Sequence, residues 1–300
     1  MNVSVSALLV ALALPAIAGP STQHFRFVPD DGALGLASHL ESVAEDKRRG
    51  VLSVLGVADE RVIEVRIASS EDEMERMLGT DRPVREWIAG LAISERDLIV
   101  MSARGNEVFH ATDTFVHELA HVYLDAAAAG HRLPRWFHEG VAMLVASEEV
   151  GDRLRTVMGA AATGSFIPLS ELVDGFPADV PRVHLAYGEA MLMVRQLQRM
   201  RGPAGVRTLL GEVRTGMPFD LAFQHVYGAT PESVWGRVER MIDPTASLVV
   251  FLTSASLTWV AILVLFLVAY ARKRRNATLR RDAWGIQDAI QTPPDEDLPN

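Results

Sequence analysis

Apolar and polar residues in the first third of the chain follow two different spacings. Short alternating or mostly apolar stretches predict three β-strands, over residues 24–28, 61–68 and 97–102. Between them, residues 34–55 and 70–78 carry apolar side chains three and four positions apart, which predicts amphipathic helices. We therefore expect a strand–helix–strand–helix–strand order in this part of the chain.

The apolar spacing is helical from residue 114 onward. A helix is predicted over residues 114–129, with Asp113 as its N-cap and Gly130 at its end. Pro134 suits the first turn of a second helix, which the short connection allows to fold back on the first. Six further helical segments follow, at residues 153–161, 169–172, 186–200, 204–214, 219–226 and 231–241. This order predicts an α+β fold, with a mixed sheet in the N-terminal half and a mostly helical C-terminal half.

Two apolar segments lie outside this pattern. Residues 1–18 have the layout of a secretory signal peptide with cleavage after Ala18, and an uncleaved anchor is the alternative. Residues 247–270 contain no charged residue, which is enough for one transmembrane helix. The basic residues at 272–275 follow at once, so the positive-inside rule places the C-terminus in the cytoplasm.

These segments predict a single-pass topology. Residues 24–243 would form an extracytoplasmic domain, periplasmic or extracellular, anchored by the span at residues 247–270. Residues 271–300 would form a cytoplasmic tail, basic near the membrane and disordered.

Composition narrows the classes of function. At 300 residues the chain is long enough for one sizeable domain with appendages. The absence of cysteine excludes disulfides, cysteine-based zinc sites and a cysteine nucleophile. A net charge of −9 argues against nucleic-acid binding, which requires a basic surface, and favours association with basic peptides instead.

The motif that carries chemistry is HELAH, in the helix predicted over residues 114–129. His117 and His121 are four positions apart, so both imidazoles lie on one helix face and can bind one metal ion. Glu118 follows the first histidine, where its carboxylate can reach a metal-bound water and act as general base.

A catalytic zinc site needs a third protein ligand and an open fourth position. The helix that begins near Pro134 offers two candidates, Glu139 and His138. Adjacent helical residues point about 100° apart, so both cannot reach the same metal.

HELAH followed by P-x-W-F-x-E-G-x-A resembles the gluzincin, or thermolysin-like, zinc metallopeptidases, and most closely their peptidase MA-like family. The resemblance implies that one zinc ion per chain is bound by His117, His121 and Glu139, with Glu118 activating water. In that family the ligand glutamate precedes a glycine, as Glu139 precedes Gly140, and this would allow close packing against the first helix.

Weaker matches extend the resemblance over residues 24–243. L-x-x-L occurs at residues 169–172, A-Y-x-x-A at residues 186–190 and G-x-P-x-x-x-A-F at residues 216–223. The resemblance also implies that the last strand before the metal helix, residues 97–102, is a sheet edge to which substrate backbone adds as an extra strand. The alternative is an ordinary sheet strand.

The sequence offers more than one candidate for the remaining catalytic roles. Gluzincins use a tyrosine or histidine to donate a hydrogen bond to the scissile carbonyl oxygen, and Tyr187 and His184 are the two candidates. Asp113 and Asp125 lie one turn either side of the histidine pair and are candidates to orient the imidazoles. The acidic residue that thermolysin-like enzymes carry four places after the ligand glutamate is replaced by Met143.

Together these features predict a membrane-anchored, zinc-dependent metallopeptidase, either endopeptidase or exopeptidase. Its partners would be a peptide or protein substrate and, through one C-terminal span, the lipid bilayer. One alternative is a catalytically inactive, membrane-tethered binding or scaffold protein on the same fold. Another is an envelope structural module in which HELAH is fortuitous.

Overall fold

A computed structural model describes residues 21–79, 88–104, 108–147, 151–242 and 259–274. The chain divides into two compact units, Met1–Ile242 and Asp243–Asn300. The HELAH motif lies in the first unit.

The described residues of the first unit form a sheet of four strands. They are β1 (Phe25–Pro29), β2 (Ile63–Ala68), β3 (Gly90–Ile93) and β4 (Leu98–Ser102). The spatial order is β1-β2-β4-β3, with β1, β2 and β4 parallel and β3 antiparallel to β4. Parallel neighbours need a crossover, and helix α1 (Leu34–Leu55) connects β1 to β2 while α2 (Glu71–Leu78) follows β2. The sheet is mixed, as the sequence predicts.

The expectation that residues 97–102 form the sheet edge is wrong. β4 lies between β2 and β3, and all its residues are buried, which suits its nearly continuous apolar sequence. The edge next to β4 is β3, which the sequence does not predict. Its four residues, Gly-Leu-Ala-Ile, are too few to show a strand pattern.

The other regular elements described in the unit are helices. They are α3 (Val108–Ala127), α4 (Arg135–Ala146), α5 (Gly151–Thr163), α6 (Val180–Arg214), α7 (Phe219–Tyr227) and α8 (Pro231–Met241), with 3₁₀ turns at Ser94–Arg96 and Leu169–Leu172. α3 begins before Asp113, so this residue is inside the helix and the prediction that it is the N-cap is wrong. The small sheet and mostly helical remainder agree with the predicted mixed architecture.

The two helices predicted at residues 186–200 and 204–214 are the arms of α6. Gly202 interrupts them with φ 64° and ψ −171°, and Pro203 follows. The first arm begins at Val180, because the side chain of Asp179 caps it by accepting a hydrogen bond from the backbone N–H of Arg182.

Packing fixes α3 between the sheet and α4. The ring of Phe115 on α3 lies 5.5 Å from that of Phe25 and 6.4 Å from that of Phe27, both on β1. α4 packs in turn on α6, where a Cβ atom at Gly140 would lie only 2.5 Å from the carbonyl oxygen of Ala190. Gly140 therefore permits close approach to α6, and not to the first metal helix as the resemblance suggests.

In the second unit, residues 259–274 are helical, and large apolar side chains at residues 259–270 are exposed. The predicted signal peptide, residues 247–258 of the predicted span, and residues 275–300 of the predicted tail lie outside the described residues. Among the residues that are described, no helix combines the length and the apolar character that crossing a membrane requires.

Candidate metal centre

Three side chains from two helices converge in the first unit. α3 supplies His117 and His121, whose ring centroids are 4.7 Å apart, and α4 supplies Glu139. Oε2 of Glu139 lies 3.3 Å from Nε2 of His117 and 3.6 Å from Nε2 of His121. Tetrahedral coordination at ordinary zinc–ligand lengths puts ligand atoms about 3.3 Å apart. The three side chains could hold a metal ion with little movement.

The carboxylate of Glu139 is deeply buried beside the two histidines. Its side chain is 1% exposed, and neither carboxylate oxygen makes a hydrogen bond within the described structure. The guanidinium of Arg135, one turn earlier on α4, forms an ion pair with Oε1. Oε2 is left facing the two histidines. Arg135 pairs with Oε1, whereas Oε2 has no hydrogen-bond partner. Because a buried carboxylate oxygen without a donor or cation is costly, the three side chains fit a metal ligand set.

The electrostatics of the three residues suit metal binding. Burial lowers the pKa of His121 to about 4, so its imidazole is neutral at neutral pH. Burial alone would raise the pKa of the Glu139 carboxyl, but it is held well below its usual range, in part by the charge of the Arg135 guanidinium. Neutral imidazole and ionised carboxylate are the forms that bind metal.

Glu118 lies beside this cluster and is 8% exposed. Burial raises the pKa of its carboxyl to about 7, while His117 and a hydrogen bond from the backbone of Ala92 act in the opposite direction. A carboxylate with a pKa near neutrality can take up and release a proton at the operating pH, as a general base must. Ala92 belongs to β3, so the edge strand holds Glu118 in place.

A cavity of about 430 Å³ opens over the cluster. Residues 88–92 form one wall, so β3 borders the cavity along the sheet edge. The opposite wall includes Arg153 of α5 and Val183, His184 and Tyr187 of α6. The cavity is therefore a cleft between a strand edge and a helical wall.

Both sequence candidates for an oxyanion donor line this cleft. The ring of Tyr187 is fixed from two sides, by Phe176 at a centroid distance of 5.0 Å and by the guanidinium carbon of Arg153 at 5.1 Å from the ring centroid. Burial raises the pKa of Tyr187, and so does the charge of Glu139, so the phenol keeps its proton. His184 lines the same wall.

His138, the rival of Glu139 as third ligand, takes a different position. Its Nδ1 lies 2.7 Å from Nδ1 of His121, and its Nε2 lies 3.0 Å from Oδ1 of Asp125. The group that combines both HELAH histidines with a third ligand contains Glu139 and not His138. Met143, at the position of the missing acidic residue, is buried in the apolar core.

Two residues at the site, Arg135 and Gly90, are not predicted from the sequence. Arg135 pairs with Glu139, and its position one helical turn before the glutamate is the signal that was available. Gly90 lies against Glu118, where a Cβ atom would be 2.8 Å from Cγ of Glu118. No local signal marks Gly90, because the strand that carries it was not predicted.

The site combines two histidines four positions apart on α3, a buried glutamate between them in sequence and a carboxylate from α4. This is the H-E-x-x-H pattern, and its two histidines and the α4 carboxylate could hold a metal ion. The comparison with protein families agrees. The chain belongs to the Peptidase MA superfamily, whose model matches residues 51–239. No curated protein matches the chain. The first unit is therefore a metallopeptidase-like domain.

Proposed function

We propose that this protein is a zinc-dependent peptidase of gluzincin type, with His117, His121 and Glu139 as the metal ligands. The observation that carries the proposal is the buried Glu139 carboxylate, whose unbonded Oε2 faces the Nε2 atoms of both histidines. Two imidazoles and one carboxylate are the protein ligands of a catalytic zinc site, and the cleft leaves room for water in the fourth position.

Zinc in this position would supply Lewis-acid polarisation of the scissile carbonyl and lower the pKa of water. Glu118 transfers the proton from the attacking water to the leaving amine. Glu118 takes a proton from water as the water oxygen bonds to the carbonyl carbon, and passes it to the amine nitrogen as the C–N bond breaks. Its pKa of about 7 suits both transfers. Tyr187, a neutral phenol in the cleft wall, donates a hydrogen bond to the carbonyl oxygen.

The edge strand β3 indicates which kind of substrate the cleft binds. Among the described residues, β3 pairs with β4 alone, and it borders the cavity. An extended peptide can add to such an edge through backbone hydrogen bonds. This supports a peptide or protein substrate that lies along β3 with its scissile bond above Glu118.

Replacement of Glu118 by Gln tests the mechanism. The amide fills the same space but cannot accept the proton, so we expect hydrolysis of fluorescently labelled casein and of a mixed quenched-peptide library to fall about 100- to 10,000-fold. Zinc content, measured on the same full-length protein in detergent, should not change. Full activity in Glu118→Gln would contradict the assigned base. Equal inactivity of parent and variant, with zinc bound, would favour the scaffold alternative.

We further propose that the domain is extracytoplasmic and anchored by one C-terminal span. The support is the uncharged stretch at residues 247–270, the exposed apolar side chains on the helix at residues 259–270, and the basic residues after it. Alkaline carbonate washing should leave the full-length protein in the membrane pellet, and protease added outside the membrane should digest the domain. Release by carbonate would contradict the anchor, and protection from protease would contradict the orientation.

A further inference from the structure

A chain of three side chains leads from the metal cluster toward solvent. The rings of His121 and His138 are nearly parallel, with an interplanar angle of 11° and centroids 4.6 Å apart. Their Nδ1 atoms are 2.7 Å apart, and the other nitrogen of His138 lies 3.0 Å from Oδ1 of Asp125. Side-chain exposure rises along the chain, from 10% for His121 and 12% for His138 to 47% for Asp125.

These contacts determine where the protons lie when both imidazoles are neutral. An ionised carboxylate only accepts hydrogen bonds, so Nε2 of His138 carries the proton that Asp125 receives. Nδ1 of His138 is then a bare acceptor. Nδ1 of His121 must donate to it, because one hydrogen bond needs one donor. Nε2 of His121 is left with its lone pair, on the side that faces Glu139.

We propose that His138 and Asp125 are positioning residues that fix the tautomer and ring orientation of His121, and thereby set the affinity of the metal centre. The inference rests on the proposed metal site. In metal-binding histidines, the N–H of the second ring nitrogen usually donates a hydrogen bond directly to a carboxylate or carbonyl. Here a second imidazole stands between the ligand and the carboxylate.

The arrangement gives α4 two roles at adjacent positions. Glu139 points into the cluster as a ligand, while His138, about 100° away around the helix, reaches past it to the back of His121. Asp125 is held in turn, since hydrogen bonds from His138 and from the side chain of Ser94 keep its pKa low although burial acts to raise it. Ser94 directly follows β3. Residues from α3, from α4 and from the end of the edge strand therefore meet at this row of side chains.

The test is a double-mutant cycle on metal affinity. The zinc dissociation constant of metal-free, full-length protein in detergent is measured by competition with a chromogenic chelator, for the parent, His138→Ala, Asp125→Ala and the double variant. We expect His138→Ala to weaken binding about 10- to 100-fold, the usual effect of losing such a partner. Asp125→Ala should weaken binding less. It should have no added effect when His138 is already absent, because Asp125 acts only through His138.

Two further variants separate positioning from general structural damage. In His138→Asn the amide oxygen can take the place of Nδ1 and accept from His121, so affinity should recover to that of Asp125→Ala. Asp174→Ala, which removes another carboxylate from the neighbouring cavity, should leave affinity unchanged. Melting temperatures of the metal-free proteins report whether each variant is folded.

The outcomes are distinguishable. Zinc binding in the parent with unchanged affinity in His138→Ala would overturn the positioning role alone. An equal effect of Asp125→Ala with and without His138 would overturn the chain of contacts. No zinc binding in a folded parent would overturn the proposed function and this inference together.

Discussion

Gly90 lies against the side chain of Glu118 at the border of the cleft. An ideal Cβ atom at residue 90 would lie 2.8 Å from Cγ of Glu118, closer than real Cβ contacts allow, and 3.0 Å from its Oε1. It would also lie 2.9 Å from Cγ2 of Thr114. The edge strand can therefore border the base only because residue 90 has no side chain.

This contact predicts that Gly90→Ala displaces the Glu118 carboxylate. Misplacement of a catalytic group by about 1 Å can cost about 100-fold in rate, so we expect kcat/KM for labelled casein to fall by about 10- to 100-fold. Zinc content should stay at the parent level, because the atoms nearest to the added Cβ belong to Glu118 and Thr114 and not to a proposed ligand. Gly211→Ala is the matched control, since a Cβ atom there meets nothing within 4 Å. Parental activity in Gly90→Ala would contradict the contact.

Tyr187→Phe tests the oxyanion donor. Removal of one such donor typically costs about 100- to 1,000-fold in kcat, and we expect a loss in that range with little change in KM. The ring packs against Phe176, and phenylalanine keeps this contact, so folding should not suffer. His184→Ala, in the same wall, should have a much smaller effect. The reverse ranking would assign the role to His184.

Glu189 predicts a pH-dependent stability unrelated to the metal. Its side chain is fully buried, Oε1 accepts a hydrogen bond from the backbone N–H of Ile167, and Oε2 has no partner. Burial raises the pKa of this carboxyl to about 8. The folded protein therefore holds a proton that the unfolded chain releases. Its stabilising contribution is complete below the ordinary pKa of glutamate and is lost as the pH rises to about 8.

The free energy of unfolding should fall by a few kcal/mol more in the parent than in Glu189→Gln as the pH rises from about 5 to about 8. Glutamine keeps the acceptor for Ile167 and does not ionise. Urea unfolding of both proteins at the two pH values measures the difference. Identical pH dependence would show that Glu189 is not the group responsible.

Local spacing accounts for what the sequence predicts well. His117 and His121 are one helical turn apart whatever surrounds them, and the apolar periodicity of residues 114–129 does not depend on tertiary contacts. The strands at residues 24–28 and 61–68 show the same local signal, and both are present with ends shifted by one or two residues.

Tertiary packing decides the rest. The position of β4 inside the sheet depends on β3, a four-residue strand with no pattern of its own. The roles of Glu139 and His138 depend on the rotation of α4 against α3, which sequence spacing does not specify. The close approach of Gly140 to Ala190 on α6 is one of the contacts that sets this rotation.

Metal content tests the central claim most directly. Elemental analysis of full-length protein purified in detergent without chelator should find one zinc ion per chain, and clear loss in Glu139→Ala. Glu189→Gln is the matched control, because it alters another buried glutamate outside the site and should retain the metal. No zinc in a folded parent, or full zinc content in Glu139→Ala, would contradict the three-ligand centre.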